Sequence, residues 1–342
     1  MPSFPVVVRL AGAAILAWLL LGIVAACGGG ADSGDGERPS LTSVIKGLDN
    51  PFFVTMRQGL QSSARARGVR LRVRTAADLY DTAGQASSLE AAATERADCY
   101  ILNPINRANL VQALDHIADG TPIVNIDSLI DRAAAEAVGV TITTYIGTDN
   151  VAGGRLGADA MGRFVRPGAR VAVITGLPGD AGSNARAHGF RAGNRGRFQV
   201  AHSVAADFDR GRAALAAAEL LGADPRIQGF FAVNDEMALG ISQAVRAAGR
   251  AGEVAVVGFD GTRPALSAVR RGEITATVAQ YPYVIGQLGV EACLAAVRGK
   301  SLPAVVNAPV QVVTKDNVKR AQANFPQPVE HFDNPLAKVL DD

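Results

Sequence analysis

The sequence predicts an α/β fold with buried parallel strands, arranged as two lobes around one shared cleft. Three observations lead to this prediction. Short apolar runs alternate with helix-like segments, the same rhythm occurs in both halves of the chain, and several runs end in polar residues. Apolar runs separated by helices are typical of strands that are buried in a parallel sheet. The functional groups of such sheets lie at the carboxyl ends of the strands.

The first half of the chain begins this rhythm near residue 41. Residues 41–47 are strand-like, and an amphipathic helical stretch follows at 53–67. Between residues 69 and 74, valine and leucine alternate with arginine, which indicates a strand with one solvated face. Residues 100–102 and 123–126 are short apolar runs that lie between helical segments.

The second half of the chain repeats the pattern. Residues 170–174, 229–233 and 254–258 are apolar runs rich in valine, isoleucine and phenylalanine, again separated by helical segments. They predict a second set of buried parallel strands.

Polar residues follow the apolar runs of both halves: Asn103 and Asp127 in the first, Asn234 and Asp260 in the second. Because functional groups lie at strand ends, we expect these side chains to line one cleft between two lobes. Asn234 also precedes a helical segment and can serve there as an N-cap. The two roles are compatible.

The composition favours a globular protein of two domains. The chain has 342 residues, and 48% of them are hydrophobic, which is enough for a sizeable core. Its 34 basic and 32 acidic residues are interspersed. The absence of a basic patch in the sequence argues against a nucleic-acid partner.

The N-terminal segment predicts export. Arg9 precedes an apolar run of 17 residues, Leu10–Ala26, which is short for a membrane span but suits a signal peptide. The run ends at Cys27 in a pattern that resembles the lipobox of bacterial lipoproteins. We therefore expect a signal peptide at 1–26, a lipid anchor on Cys27 and a flexible tether at 27–40. An uncleaved membrane anchor or a non-lipidated signal peptide is the alternative.

The two other cysteines are Cys99, at the start of an apolar run, and Cys293, within a helical pattern. These settings favour two buried free thiols. Spacing alone does not exclude a disulfide.

No motif for catalysis is present, and we expect neither an enzyme nor a metal or cofactor. The sequence lacks the nucleophile elbow, the H-E-x-x-H motif and the C-x-x-C motif. Gly299–Ser301 looks like the end of a phosphate loop, but Leu294 stands where that loop requires glycine, and Gly176–Gly182 lacks the dinucleotide-binding spacing. The four histidines are scattered without ligand spacing: His116, His188, His202 and His331.

Seven motifs between about Leu41 and Thr314 together resemble the periplasmic ribose-binding protein family. They occur in the family's order: Asn50–Phe53, Leu102–Pro104, Gly147–Asn150, Ala206–Arg210, Asn234–Gly240, Gly258–Thr262 and Ala279–Gln280. Each motif is weak alone, but seven in order are specific.

The resemblance implies the periplasmic binding protein type I fold, in which two doubly wound parallel-sheet lobes are joined by three crossover strands. The crossings are expected near Thr148, Gln280 and Val310. The mature chain then divides into an N-terminal lobe, a C-terminal lobe and a C-terminal extension, at residues 41–147 with 281–309, 148–280 with 310–314, and 315–342.

The resemblance also implies the ligand-binding residues. Carried over position by position, they are Asn50, Phe52, Phe53, Asp127, Ser128, Arg186, Phe208, Asn234, Asp260 and Gln280. In the family, aromatic rings hold the sugar between apolar faces, while carboxylate, arginine and amide groups bond its hydroxyls. These groups suit a sugar, whose C–H faces are apolar and whose hydroxyls donate and accept. Phe52 and Phe53 taken singly also suit core packing.

One position departs from the family, which carries an arginine where this sequence has Ser128. Removing a guanidinium removes strong donors and leaves space for a different ligand. The ligand class is therefore open among ribose, another pentose, a hexose and a polyol. The missing positive charge makes a phosphorylated sugar less attractive.

The resemblance implies a substrate-binding lipoprotein of an ABC importer, acting as a monomer on the bacterial cell envelope. Its partners would be a small sugar or polyol, the membrane through its lipid anchor, and the transporter permease. A ligand-presenting sensor subunit for a chemoreceptor or histidine kinase is the alternative. A sugar-sensing repressor would require a helix-turn-helix in place of the apolar N-terminal segment.

Overall fold

The structure is a computed structural model that describes residues 38–341. The predictions of a signal peptide at 1–26 and of a lipidated Cys27 lie outside these residues, as does most of the predicted tether. Within the described chain the first strand begins at Ser40, so the last residue assigned to the tether already pairs with Arg70 in a sheet. None of the helices within 38–341 is long and apolar enough to span a membrane.

Strands and helices alternate as the sequence predicts. The strands are β1 (Ser40–Ile45), β2 (Arg70–Thr75), β3 (Cys99–Leu102), β4 (Ile123–Ile126), β5 (Thr144–Thr148), β6 (Arg170–Thr175), β7 (Gln199–Ala205), β8 (Ile227–Ala232), β9 (Ala255–Asp260), β10 (Ala276–Gln280), β11 (Val305–Ala308) and β12 (Val310–Thr314). The helices are α1 (Pro51–Arg67), α2 (Thr82–Thr94), α3 (Val111–Leu114), α4 (Arg132–Ala137), α5 (Asn150–Phe164), α6 (Ala181–Asn194), α7 (Arg210–Ala223), α8 (Asp235–Ala247), α9 (Arg263–Arg271), α10 (Pro282–Val297), α11 (Val318–Asn324) and α12 (Ala337–Asp341).

The strands form two six-stranded sheets. The first has the order β11-β5-β4-β3-β1-β2 and is parallel throughout. The second has the order β12-β10-β9-β8-β6-β7 and is parallel except for β12, which runs antiparallel to β10. Each sheet, with the helices packed on it, is a lobe. The predicted fold class, two doubly wound α/β lobes, is confirmed.

The chain passes between the two sheets three times. It leaves the first sheet after Thr148 at the end of β5, and it leaves the second after Gln280 at the end of β10. It crosses again at residue 309, between β11 and β12. Helix α10, which follows the second passage, packs on the first lobe against α1, β3 and β4.

Two glycines let α1 and α10 approach closely and thereby fix the position of α1. A Cβ atom on Gly59 would lie 2.0 Å from the backbone oxygen of Tyr283, and one on Gly286 would lie 2.4 Å from that of Met56. Such distances are below van der Waals contact, so these positions require glycine. The close packing holds the first turn of α1 at the edge of the cleft.

The expectation of two free thiols was wrong. Cys99 in β3 and Cys293 in α10 form a disulfide, with their Cα atoms 5.7 Å apart and both side chains fully buried. The bond became possible because α10 lies across β3, which brings together residues that are 194 positions apart. Spacing in the sequence contains no information on this contact.

The C-terminal extension is structured. Helix α11 packs on α9 and β12 in the second lobe, whereas α12 packs on α10 in the first lobe. Leu336, between the two helices, is fully buried. The extension therefore contacts both lobes.

Candidate functional site

The predicted polar residues lie at the carboxyl ends of strands from both sheets. Asp127 follows β4 and Asn234 follows β8, while Asp260 and Gln280 are the last residues of β9 and β10. Burial raises the pKa of Asp260, and the charge of Asp127 in the first lobe raises it further, as expected for two carboxylates that face the same cleft. The structure thus brings the two sets of strand ends together.

The wall of the cleft that belongs to the second lobe is a connected network around Arg186 of α6. Its guanidinium donates to Asn150 Oδ1 at 2.7 Å and to the backbone oxygen of Val233 at 2.8 Å. It also lies 3.4 Å from Asp260 Oδ1 and stacks on the ring of Phe259, 4.2 Å from the centroid. A guanidinium held at this many points is preorganised as a donor.

Asp260 completes this network. Its Oδ1 accepts from Gln280 Nε2 at 2.7 Å, and its side chain is 6% exposed. Burial raises the pKa of Asp260 to about 6, although Arg186 and Gln280 favour the ionised form. Burial, reinforced by the charge of Asp260, also raises the pKa of Asp235 well above its usual range. The second lobe therefore carries two buried carboxyl groups, of which Asp260 faces the network.

Three buried amide groups have polar atoms without a protein partner. Within residues 38–341, Asn103 Oδ1, Asn234 Nδ2 and Gln280 Oε1 are buried and accept or donate no hydrogen bond. The three residues are at most 3% exposed. An unpaired buried polar group is costly, and such groups are uncommon in folded proteins. Two acceptors and one donor at the strand ends match the needs of a ligand that carries several hydroxyls.

The wall that belongs to the first lobe contains a cation that the sequence analysis did not assign. Lys46 directly follows β1, and its Nζ donates to Ser128 Oγ at 2.7 Å and lies 4.0 Å from Asp127 Oδ2. The side chains of Lys46 and Asp127 are only 10% and 11% exposed. The sequence does lack the family's arginine at position 128, and the structure places the ammonium group of Lys46 beside Ser128.

Aromatic side chains flank both walls. Phe52 and Phe53 in the first turn of α1 are buried and pack edge to face, with ring centroids 5.2 Å apart, and Lys46 Nζ lies 5.3 Å from the Phe53 ring centre. In the second lobe the Phe208 ring lies against Gly176, where a Cβ atom would approach Phe208 Cζ to 2.2 Å. Gly176, noted above for its glycine-rich run, is thus the residue that makes room for Phe208.

Asn50 and Asn234 are both N-caps. Asn50 Oδ1 accepts from the backbone N–H of Phe52, and Asn234 Oδ1 accepts from that of Met237, each at 2.9 Å. Capping fixes each amide plane and directs its NH₂ group away from the helix. The two readings of Asn234 in the sequence, cap and site residue, are therefore compatible in the structure.

Strained backbone concentrates at the predicted site. Within residues 38–341, six residues other than glycine have positive φ, and four of them are Asp127, Asp207, Phe208 and Asp260. Their φ angles are 59°, 53°, 61° and 126°. Such conformations cost energy and persist at functional sites where the surrounding structure holds them.

The lobes contact each other at the mouth of the cleft. Tyr80, in the loop after β2, donates from its hydroxyl to the backbone oxygen of Asp207 at 3.4 Å. Deeper in the first lobe, Tyr145 donates to the backbone oxygen of Asp127 at 2.7 Å, and burial raises the pKa of Tyr145 so that it stays protonated. The bond between Tyr80 and Asp207 therefore joins the two lobes in this structure.

Two residues of the site were missed or left without a role by the sequence analysis. Lys46 was missed, although it follows a strand just as Asp127 does, so the strand-end rule could have found it. Asn103 was noted as a strand-end residue but not assigned to the ligand. Its burial and its unpaired oxygen became visible only in the structure.

Two α/β lobes, joined by three passages of the chain and lined at their strand ends with buried polar groups, define a periplasmic-type binding protein. Residues 42–301 match the family described as periplasmic binding protein domain. The chain belongs to this family.

Relatives of known function share most of their length with this chain. It is 32% identical over 285 residues to the ribose import binding protein RbsB of Bacillus subtilis, covering 83% of this chain and 90% of that protein. It is 34% identical over 265 residues to the D-allose-binding periplasmic protein of Escherichia coli, with 76% and 85% covered. These relatives are binding proteins and not enzymes, in agreement with the prediction.

Among solved structures, the chain resembles an ABC transporter periplasmic solute binding protein from Actinobacillus succinogenes with bound D-allose. The TM-score is 0.78 and the identity 30%, and the match covers 82% of this chain and 99% of that one. The similarity therefore extends over both lobes.

Proposed function

We propose that this protein binds a small monosaccharide or polyol between its lobes and presents it to the permease of an ABC importer. The unpaired buried atoms of Asn103, Asn234 and Gln280 carry this proposal most directly. A ligand rich in hydroxyls would satisfy all three, and Asp127 and Asp260 would accept from further hydroxyls with charge-assisted bonds. The relatives that bind ribose and D-allose support the same ligand class.

The first lobe favours a ligand that reaches Lys46 and Ser128. The ammonium of Lys46 and the hydroxyl of Ser128 lie 2.7 Å apart, and both can bond a ligand hydroxyl. They occupy the region where the ribose-binding family carries the arginine that this sequence lacks. We therefore rank hexoses and polyols with an additional hydroxyl above ribose.

Binding would stabilise the form in which the lobes are in contact. The passages after β5, after β10 and between β11 and β12 would act as the hinge, and the ligand would contribute contacts to both walls at once. Its differential affinity for the closed form sets how far the population shifts. A permease would then recognise surfaces of both lobes in a fixed relation.

Export, the lipid anchor on Cys27 and a monomeric state are part of the same proposal. The apolar segment before Cys27 supports export, and the lipobox-like pattern supports the anchor. The alternative partner, a chemoreceptor or histidine kinase, would use the same closed lobes. Co-purification of the membrane-anchored protein with a permease would distinguish the two.

Thermal denaturation against a sugar panel tests the ligand class. The chain that starts after Cys27 would be heated with D-ribose, D-allose, D-arabinose, other hexoses and linear and cyclic polyols. A ligand at about 100 times its Kd adds about 2.7 kcal/mol of stability, which gives a clear shift in Tm. A shift with one or two compounds is expected. No shift with any compound would contradict the proposed ligand class.

A further inference from the structure

We propose that the C-terminal extension, residues 315–341, is a strap that limits how far the cleft opens. The family match ends at residue 301 and the resemblance ends near residue 314, so neither accounts for this segment. The strap contacts the second lobe, the hinge and the first lobe in that order. The inference rests on the lobe movement that the proposed function requires, but its test needs no ligand.

The first anchor of the strap is on the second lobe. Val318 and Ala321 of α11 are buried where this helix packs on α9 and β12. At the end of α11, the Phe325 ring lies under the guanidinium of Arg263, the first residue of α9, at 4.3 Å from the ring centroid. A buried helix face and a cation–π contact together hold the start of the strap.

The second anchor is on the hinge. Tyr281 directly follows β10 and Gln311 is the second residue of β12, so both lie next to passages of the chain between the sheets. The Tyr281 hydroxyl donates to Gln311 Oε1 at 2.6 Å, and the backbone N–H of Val329 lies 3.2 Å and 3.1 Å from these two oxygens. The backbone N–H of Glu330 donates to the same Gln311 oxygen at 3.2 Å. Burial raises the pKa of Tyr281 to about 12, which keeps the hydroxyl protonated for its bond to Gln311.

The third anchor is on the first lobe. Asn334 Nδ2 donates to Glu291 Oε2 of α10 at 2.7 Å, and Arg67 of α1 holds the other oxygen of Glu291 at 2.7 Å. Two residues further, Leu336 is fully buried, and α12 packs on α10. A buried leucine beside an oriented carboxylate makes a specific attachment rather than a loose surface contact.

The strap is therefore attached to both lobes and to the segment about which they move. Opening the cleft changes the distance between α9 and α10, and the strap must either resist that change or release one anchor. Cavities border it on two sides. One, of about 210 Å³, lies between α1, α9 and the strap, and another, of about 370 Å³, lies between the strap and α10.

The cavity of about 210 Å³ adjoins the predicted sugar site but contains only part of it. Phe52, Asp260 and Gln280 line it, but Asp127, Arg186 and Phe208 do not. Its remaining walls are mostly apolar side chains of both lobes and of the strap. Its walls would separate as the lobes open, so the strap also closes this side of the hinge.

The distance between the lobes in the ligand-free protein tests the proposal. Spin labels on Ala91→Cys in α2 and Ala218→Cys in α7, both exposed, report that distance by double electron–electron resonance. The buried disulfide leaves Cys99 and Cys293 unavailable to the label. The test variant carries Asn334→Asp, which repels Glu291, and Leu336→Asp, which removes the buried anchor.

The matched control is Asp333→Asn in the same segment, at a side chain that is 97% exposed. Hydrogen exchange of the strap residues would establish that the strap is detached in the double variant. If the double variant fails to fold, the milder variant Asn334→Ala would replace it. We expect the detached variant to show longer distances, with a shift larger than the width of the control's distribution. An unchanged distribution with a detached strap would overturn the proposal. Neither result depends on any sugar, so failure here is distinct from failure of the proposed function.

Discussion

The two walls of the cleft differ in how their polar groups are held. In the second lobe, Arg186 and Gln280 both donate to Asp260, and Arg186 is also held by Asn150 and a backbone oxygen. In the first lobe, Lys46 makes one short bond to Ser128 and lies 4.0 Å from Asp127. One wall is a network with several cross-links, and the other centres on a single ammonium group beside a hydroxyl and a carboxylate.

This difference suggests that one wall provides affinity for hydroxyl groups and the other provides selectivity among sugars. A cross-linked network of buried groups presents the same donors and acceptors to every ligand, so the second lobe would supply affinity for hydroxyls in general. A lysine has a long flexible stem and adapts to its partner, so the first lobe would decide which sugar fits. The position that departs from the ribose-binding family, Ser128, lies on this adaptable wall.

Removing the carboxylate of the second wall should have the largest effect. Asp260→Asn keeps the shape but loses a charged acceptor, and we expect ligand affinity to fall about 100-fold, because charged hydrogen bonds contribute about 1.5–3 kcal/mol each. Isothermal titration calorimetry measures this. Asp209→Asn, at the exposed cap of α7, is the control. If both variants bind the ligand with equal affinity, the proposed role of the second wall is contradicted.

Removing the cation of the first wall should change the preference among sugars. Lys46→Met keeps the apolar stem, and we expect about 30-fold weaker binding of the preferred ligand but a much smaller loss for sugars that do not reach Ser128. Competition titrations with the same sugar panel measure the ranking. Lys300→Met, in the loop after α10, should change nothing. A uniform loss across all sugars would show that Lys46 contributes no selectivity.

Filling the space behind Phe208 should weaken binding moderately. Gly176→Ala places a methyl group in the Phe208 ring, and overpacking of about 1–3 kcal/mol would displace the ring and weaken affinity about tenfold. Gly222→Ala in α7 is the matched control, since a Cβ there meets no atom within 4 Å. An unchanged affinity for Gly176→Ala would mean that Phe208 does not contact the ligand.

The pH dependence should be the smallest effect. Burial raises the pKa of Asp260 to about 6, and hydroxyl donors from a ligand favour its ionised form, so binding requires loss of a proton at low pH. Affinity should therefore fall about fourfold between pH 7 and pH 5.5, with proton release detectable by calorimetry in buffers of different ionisation enthalpy.

The free energy of unfolding depends on the same carboxyl group in the opposite direction. The raised pKa contributes stability below its ordinary value of 3.8, and that contribution is lost as pH rises through 6. An affinity for the sugar that rises as the pH is lowered would contradict the proposal that ionised Asp260 binds the ligand.

Local patterns in the sequence predicted the fold class and seven of the twelve strands within residues 38–341. The run at 123–126 coincides with β4, and the alternation near residue 70 predicts the half-exposed strand β2. Contacts between distant residues were not predictable in this way. The disulfide between Cys99 and Cys293 depends on how α10 crosses β3, and periodicity within either segment does not reveal that crossing.

Candidate site residues could be proposed from the sequence where they stand at a strand end or match the resembled family. Asp260 and Asn234 stand in runs that resemble the family, and the structure buries both. Lys46 lies outside the seven motifs that resemble the family. Its proposed role follows from its contact with Ser128, which is 82 residues away in the sequence. The strap could not be predicted from the sequence either, because it is held by long-range contacts with Tyr281, Gln311 and Glu291.

The side-chain amide signals of Asn234 and Gln280 test the central claim most directly. In ¹⁵N-labelled protein they can be assigned with Asn234→Asp and Gln280→Glu and followed during titration with D-allose and D-ribose. If unpaired buried amides receive ligand hydroxyls, both signals should shift and exchange more slowly with solvent when sugar binds. The signal of Asn194, whose amide donates to the backbone oxygen of Phe198 within the second lobe, should stay unchanged. Binding that leaves both signals where they are would contradict the account.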